Sequence, residues 1–450
     1  MTRASRIAAS LVGAMCALGA ANQSIAMPAK VIAGSDTQGG LLPGTRIMRV
    51  TSAADDGPGS LREALSQTGP RVVVFDVGGV IELKSDLRIR SPNLTIAGQT
   101  APDPGISITG GGLRIRTHDV VVQHIAVRPG ASDSGKANND RDAISIDGQG
   151  PGASYSVRLE NVSASWSADE TISTWYPTTR AVTIRNSIVA EALRNAGHPK
   201  GQHSMGLLVG KYTTQIEITG NLMVSNLFRN PVMSPGSSTF VANNYIVNPG
   251  MNAIHFYSHE GRKKVSSVTT LATIVENVVV AGKDSIKRMT AVQLPPDMAI
   301  LSPDARLYID GNVLRGRDTM PILSNRSELP LLQAPEVAPV GWKVFAAEEV
   351  EAYVLRYAGT RPLRRNSVDL RLLDDIAHQR ERIVDSPDEV GGLPPPSEIR
   401  ARASVPADPH APTTLGMSRL AAWLCLQHLM VGGPPTSQCA LSASVLQGAL

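Results

Sequence analysis

Cysteine is nearly absent from this chain: among 450 residues only Cys16, Cys425 and Cys439 occur. The stretch between the first and the last two has none, which excludes a disulfide framework and a metal–thiolate site for the main body. Its stability must come from packing and hydrogen bonding, while Cys425 and Cys439 could pair outside the cytoplasm. Aromatic residues make up only 4%, whereas glycine (40) and proline (31) are plentiful. That balance favours many short strands and turns over a helical bundle. The formal net charge is +4, and no stretch gathers lysine and arginine into a stripe, which argues against nucleic acid as a partner. The apolar runs Ile7 to Ala21 and Leu420 to Val431 are too short to span a bilayer, so no stable membrane association is expected.

Arg3 and Arg6, the apolar Ile7 to Ala21 and the small-x-small Ser24-Ile25-Ala26 together read as a secretory signal over residues 1–26. Its removal would leave a nearly neutral mature chain, secreted to the cell exterior or a periplasm.

From about Arg71 to Gly316 the sequence is a series of short runs rich in Val and Ile, among them Val72–Val77, Val120–Val127, Val157–Val162, Ala181–Val189 and Gln215–Val224, broken by Gly, Asn, Asp and Pro. An asparagine recurs between two apolar stretches: Asn161, Asn186, Asn221, Asn244, Asn277 and Asn312. This spacing with variable inserts fits a solenoid whose coils each contribute a few short strands, an all-β architecture. Asparagine suits a tight bend because it tolerates the left-handed conformation and its amide can bond the backbone. Stacked coils would set these amides in a ladder. Asp55 to Leu65 reads as a turn and a short helix capping the N-terminal end of the solenoid. The body is expected to span residues 27–395, and residues 396–450 read as an irregular, disordered or weakly packed extension.

Four segments could carry chemistry. Asp140 and Asp142, two apart in NNDRDAISIDG, would point to one side of an extended strand. Two such carboxylates repel unless a cation lies between them, and calcium prefers several oxygen ligands. In SWSADETIS, Asp169 and Glu170 are adjacent, so on a strand only one faces the same groove; Asp169 is favoured, and Trp166 reads as a packing residue. Arg229, beside the chain-stiffening Pro231, could clamp the carboxylate of an acidic sugar. Lys200 and His203 lie in a glycine-containing loop and could bind an anionic ligand, with His255, His259 and Arg262 a weaker basic cluster downstream.

Taken in order, GSLREAL, DAISI, SWSADE, HSMGLLVG, FRNP, NNYIVN and IVDSPDEVGG resemble the pectate lyases of the family-1 polysaccharide lyase type, across roughly Val50 to Pro394. The resemblance implies a right-handed parallel β-helix and cleavage of polygalacturonate, an acidic polysaccharide, by β-elimination with Ca2+. By that similarity Asp140 and Asp142 match two calcium ligands and Asp169 a third. Arg229 matches the first arginine of an Arg-x-Pro-x-x-Arg motif, the proton-abstracting base. Lys200 or His203 lies near where the family has a substrate-binding lysine. The chain departs from the pattern at Ser173, where many members have a further acidic ligand, at Ser234, which replaces the second arginine, and at Glu160-Asn161, which replaces an Asp-His pair. A pectin hydrolase or esterase and a non-catalytic polysaccharide-binding β-helix are the alternative classes. Either way a capped solenoid needs no partner, so a monomer is expected.

Overall fold

The computed structural model describes residues 30–450 except 134, 150–151, 258–265, 296–297, 303, 318–319, 325–330, 342, 436–438, 440, 442 and 449–450. The signal expected at residues 1–26 therefore lies outside the described residues, as do His259 and Arg262.

The chain winds as a right-handed parallel β-helix in which successive coils add one strand to each of three sheets, of 10, 8 and 10 strands. One coil runs Tyr155–Glu160, Ser163–Ser165, Glu170–Trp175; the next runs Arg180–Arg185, Ile188–Ala190, Met205–Val209. Strand alternation fixes what each sheet does. In the eight-stranded sheet Leu87, Leu113, Ile144, Ile172 and Leu207 stack in register and are fully buried inside the coil. Each such side chain contributes about 1.5–3 kcal/mol by burial. One residue along, Arg88, Arg114, Ser145 and Ser173 form the matching outward row. The inner row makes the core and the outer row is left for function.

The asparagine pattern resolves into two adjacent columns rather than one. Asn161, Asn186, Gly220, Asn243, Glu276 and Gly311 occupy the bend itself, with φ between +49° and +65°. The amide ladder runs through the following residue: Asn221 Nδ2 donates to Asn244 Oδ1, Asn244 to Asn277 and Asn277 to Asn312, each at 2.9 Å. Asn161 and Asn186 therefore tolerate the left-handed bend but stand outside the ladder, where Val162 and Ser187 take their place. A single residue cannot do both tasks because the bend turns its side chain out of the stack. Asn161 Nδ2 instead reaches the carbonyls of Tyr357 and Gly359, and Asn186 Oδ1 accepts from Tyr353.

Helices cover the other faces. α1 (Leu61–Ser66) is capped by the Ser60 hydroxyl on Glu63 N and buries Leu61, Ala64 and Leu65 in the main core, next to the edge strand Arg46–Val50. α2 (Ala347–Tyr357) and α3 (Ser367–Ala377) lie over the sheet of three-residue strands, burying Val350, Val354 and Leu372 against Ile188, Leu222 and Val278.

The C-terminal residues correct the expectation of a disordered or weakly packed extension. Ser397–Arg400 pairs antiparallel with Val77–Glu82 and so extends one sheet. α4 (Arg419–Met430) seats Leu420, Trp423 and Leu424 on Val72, Val74 and Ala97, while its Ala422, Cys425 and Leu426 pack against Cys439 and Leu446 of the segment that follows. Covered on both sides, this helix has no polar face, and that is why Leu420 to Val431 reads as an unbroken apolar run. Cys425 and Cys439 form a disulfide with their Cα atoms 5.2 Å apart. His428 is tied to the body by a hydrogen bond of 2.9 Å between its Nδ1 and His124 Nε2. Among the described residues no helix is long and apolar enough to cross a membrane.

Candidate active site

Two acidic segments are stitched side by side on the outward face of the eight-stranded sheet. The N–H groups of Ala168 and Asp169 donate to the carbonyl of Arg141, and Ala143 N donates to the carbonyl of Glu170. The Arg141 guanidinium turns away from its acidic neighbours and grips the carbonyls of Gly110, Pro129 and Gly130. That grip pins the turn from which Asp142 projects.

Asp142 is 5% exposed. Its Oδ2 accepts from the Ser173 hydroxyl at 2.6 Å and its Oδ1 from Glu170 N at 3.2 Å, with Arg114 Nη1 3.6 Å away. Burial pushes its carboxyl up to about 7; the Asp169 and Asp140 charges add to the rise, and Arg114 and Ser173 oppose it. Oxygens of Asp142, Asp169 and Glu170 lie within 4.8 Å of one another. Three crowded, buried carboxylates repel strongly unless a cation relieves them.

Strict strand alternation would let only one of two adjacent acids face the groove, which favours Asp169 over Glu170. Asp169 precedes the strand Glu170–Trp175 in a bend, so strict alternation does not apply there, and both side chains reach the cluster. Asp140 and Asp142 likewise sit in the turn before the strand Ile144–Asp147 and not on it. Both line one cleft of about 550 Å³, with Asp142 buried and Asp140 exposed at its edge.

Arg229 forms an ion pair with Glu170 Oε1, and its guanidinium carbon lies 5.8 Å from the Tyr257 ring centre. Its backbone is held close to the preceding coil: Leu207 N donates to the Arg229 carbonyl at 2.6 Å. A Cβ on Gly206 would lie 2.4 Å from that same oxygen, so the glycine of SMGLLVG permits the approach. Asn226 bridges coils below it, accepting from Ala192 N and donating to the Val189 carbonyl.

His203 and His198 lie against Asp169. Their Nε2 atoms are 3.3 and 3.7 Å from Asp169 Oδ1, and the two rings stack with centres 3.4 Å apart. Burial, then the charge of His203, pushes the His198 ring below its usual range. Lys200 is on the exposed turn beside them, its backbone N–H bonded to His198 Nδ1, and its side chain is not part of the cleft lining. The structure thus gathers Asp142, Asp169, His203 and Arg229, with Asp140 at the margin and Lys200 apart. Sequence reasoning passed over Glu170, Arg114 and His198. The outward row predicted by strand alternation would have pointed to Arg114; nothing local pointed to His198.

No family model matches the chain. A protein named probable pectate lyase C from Aspergillus flavus is 31% identical to it over 376 residues, covering 82% of this chain and 81% of the relative. A protein of the same name from Aspergillus terreus is 31% identical over 362 residues, covering 78% of each. Among solved structures, that of jun a 1, the major allergen from cedar pollen, superimposes with a TM-score of 0.52 at 18% identity, covering 73% of this chain and 92% of that one. The structural likeness speaks to the fold, and the sequence relatives carry the assignment: the chain belongs to the pectate lyase family.

Proposed function

We propose that the protein is a pectate lyase that cleaves polygalacturonate, or a related uronan, by β-elimination with calcium. The observation that carries this reading is the convergence of Asp142, Asp169 and Glu170 within 4.8 Å of one another, with Arg229 paired to the last of them. Hard carboxylate oxygens, buried and close enough to share one ion, suit calcium. Asp142, Asp169 and Glu170 would hold it, with Asp140 at the edge of the same cleft. When bound, calcium draws charge from the uronate carboxylate and makes the C5 proton easier to remove.

Arg229 takes that proton in this reading. The C5–H electron pair becomes the C4=C5 double bond as the C4–O4 bond breaks, O4 leaves and acquires a proton, and no water adds across the cleaved link. A free guanidinium keeps its proton, so the role asks the site to supply the neutral form; an Arg229 that stays charged holds the uronate carboxylate instead. Of the two substrate-binding candidates, His203 is the one that touches the carboxylate cluster, buried against Asp169, while Lys200 is exposed on the adjoining turn.

The Cys425–Cys439 disulfide supports export to an oxidising compartment, and the capped solenoid supports action as a monomer. The test is incubation with polygalacturonate, with calcium or with a chelator, following the absorbance of unsaturated uronides at alkaline pH. A rise that requires calcium supports the proposal. New reducing ends without that absorbance would make the protein a hydrolase, and neither signal would leave a binding protein.

A further inference from the structure

Resting on the lyase reading, we propose that Trp175, laid over Gly210, with Arg116 two coils before it and Arg88 farther along the same cleft, is a stacking subsite for one uronate unit of the bound polysaccharide. Trp166, the neighbouring tryptophan on the same coil, cannot take this part: it is fully buried and its Nε1 donates to Glu191 at 2.9 Å. Trp175 ends the strand Glu170–Trp175, is 37% exposed and lines the same cleft as the carboxylate cluster. A large aromatic left open on a polar, charged surface forgoes burial that would otherwise stabilise the fold.

The next coil makes room for the ring. Gly210 N donates to the Thr174 carbonyl at 2.9 Å. A Cβ at Gly210 would lie 2.2 Å from Trp175 Cε3 and 2.4 Å from the Thr174 oxygen. The backbone of Gly210 is not in the left-handed region, so space, not conformation, is what the glycine supplies here. The indole can then lie along the sheet with a face toward the cleft. Tyr176 stands beside it, also exposed, with the ring centres 6.2 Å apart.

Charge flanks the platform on the side of the earlier coils. Arg116 is held by Asp147, in register with Trp175, through Nη2 at 2.7 Å, and its Nε has no hydrogen-bond partner among the described residues. Arg88 is exposed, lines the cleft and makes no ion pair among the described residues. A pyranose with one apolar C–H face and one carboxylate matches an indole face beside guanidinium groups.

The test compares trigalacturonate binding, by calorimetry with calcium present, and KM for polygalacturonate. Trp175→Ala is expected to raise both constants about three- to tenfold with kcat within about twofold, the signature of lost uniform binding. Trp175→Phe recovers most of the loss, and Arg88→Gln weakens binding in a way that fades as salt rises. Trp175→Ala that cleaves with unchanged KM and binds with unchanged affinity overturns the subsite while leaving the lyase reading intact. A wild type that neither binds trigalacturonate nor forms unsaturated product overturns both, and one that binds without cleaving still decides the subsite through the affinity of the variant.

Discussion

Ser173 is the position at which this site can be made to report its own purpose. Its hydroxyl donates to Asp142 Oδ2 at 2.6 Å. In Ser173→Asp that donor is lost and a fourth carboxylate enters the cluster, about 4 Å from Asp142. At an effective dielectric near 20 the added repulsion is about 4 kcal/mol. Arg114, 3.6 Å from the same Asp142 oxygen, offsets part of this, leaving a net loss of about 2–3 kcal/mol without calcium. With calcium the sign reverses in part, because a further carboxylate tightens an oxygen-ligand site, here by about tenfold or more. An ion present at about 100 times its dissociation constant adds about 2.7 kcal/mol of stability and recovers most of the loss. Urea unfolding with a chelator and with calcium, together with calorimetric titration of the ion, measures both effects. Equal destabilisation with and without calcium, and an unchanged affinity, would mean that Asp142, Asp169 and Glu170 do not hold the ion.

Asn277→Ala should cost about 3 kcal/mol by urea unfolding, because it leaves the buried Asn244 N–H without its acceptor and removes the amide bonds from Asn244 and to Asn312 on either side; Asn186→Ala, outside the ladder, should cost about 1 kcal/mol. Burial, before any charge effect, holds the His124 and His428 rings below the usual histidine range, with Arg361 near the first, Arg158 and Arg185 near the second, and Glu160 facing both. At these two rings the unfolded chain binds the extra protons, so their contribution to stability is full above about pH 6.5 and falls as pH drops below it, against the opposite slope of Asp142, whose carboxyl is pushed by burial up to about 7. His428→Gln should flatten that acid slope in unfolding measurements between pH 7 and 5; an unchanged slope would place the sensitivity elsewhere. Reducing the Cys425–Cys439 link should loosen α4 by about 3 kcal/mol, read as faster amide exchange in Arg419–Met430, with turnover on polygalacturonate unchanged.

The solenoid was legible because its physics is periodic. Short Val- and Ile-rich strands and recurrent asparagines repeat at every coil, and each repeat votes for the same architecture. The split between bend and ladder was not legible, because two adjacent columns both use asparagine and the sequence does not say which residue turns. Asp142, Asp169 and Arg229 were legible as chemistry through their motifs; the structure brings the two aspartates to one cleft and joins Arg229 to them through its ion pair with Glu170. Glu170 was lost to an alternation rule applied one residue before its strand begins. His198 and Arg114 depend on contacts across coils about 30 residues apart, which no local pattern encodes. The docking of α4 was hidden for a related reason: a helix buried on both sides carries no periodic face to read.

The most direct measurement is mass spectrometry of the products released from polygalacturonate in the presence of calcium, with Arg229→Ala run beside the wild type. The expected products are oligomers ending in an unsaturated uronate, lighter than hydrolysis products by one water, whose formation stops with chelator and in Arg229→Ala while the variant keeps its fold. Saturated oligomers carrying the added water, or unsaturated ones made equally well by Arg229→Ala, would contradict the proposed mechanism.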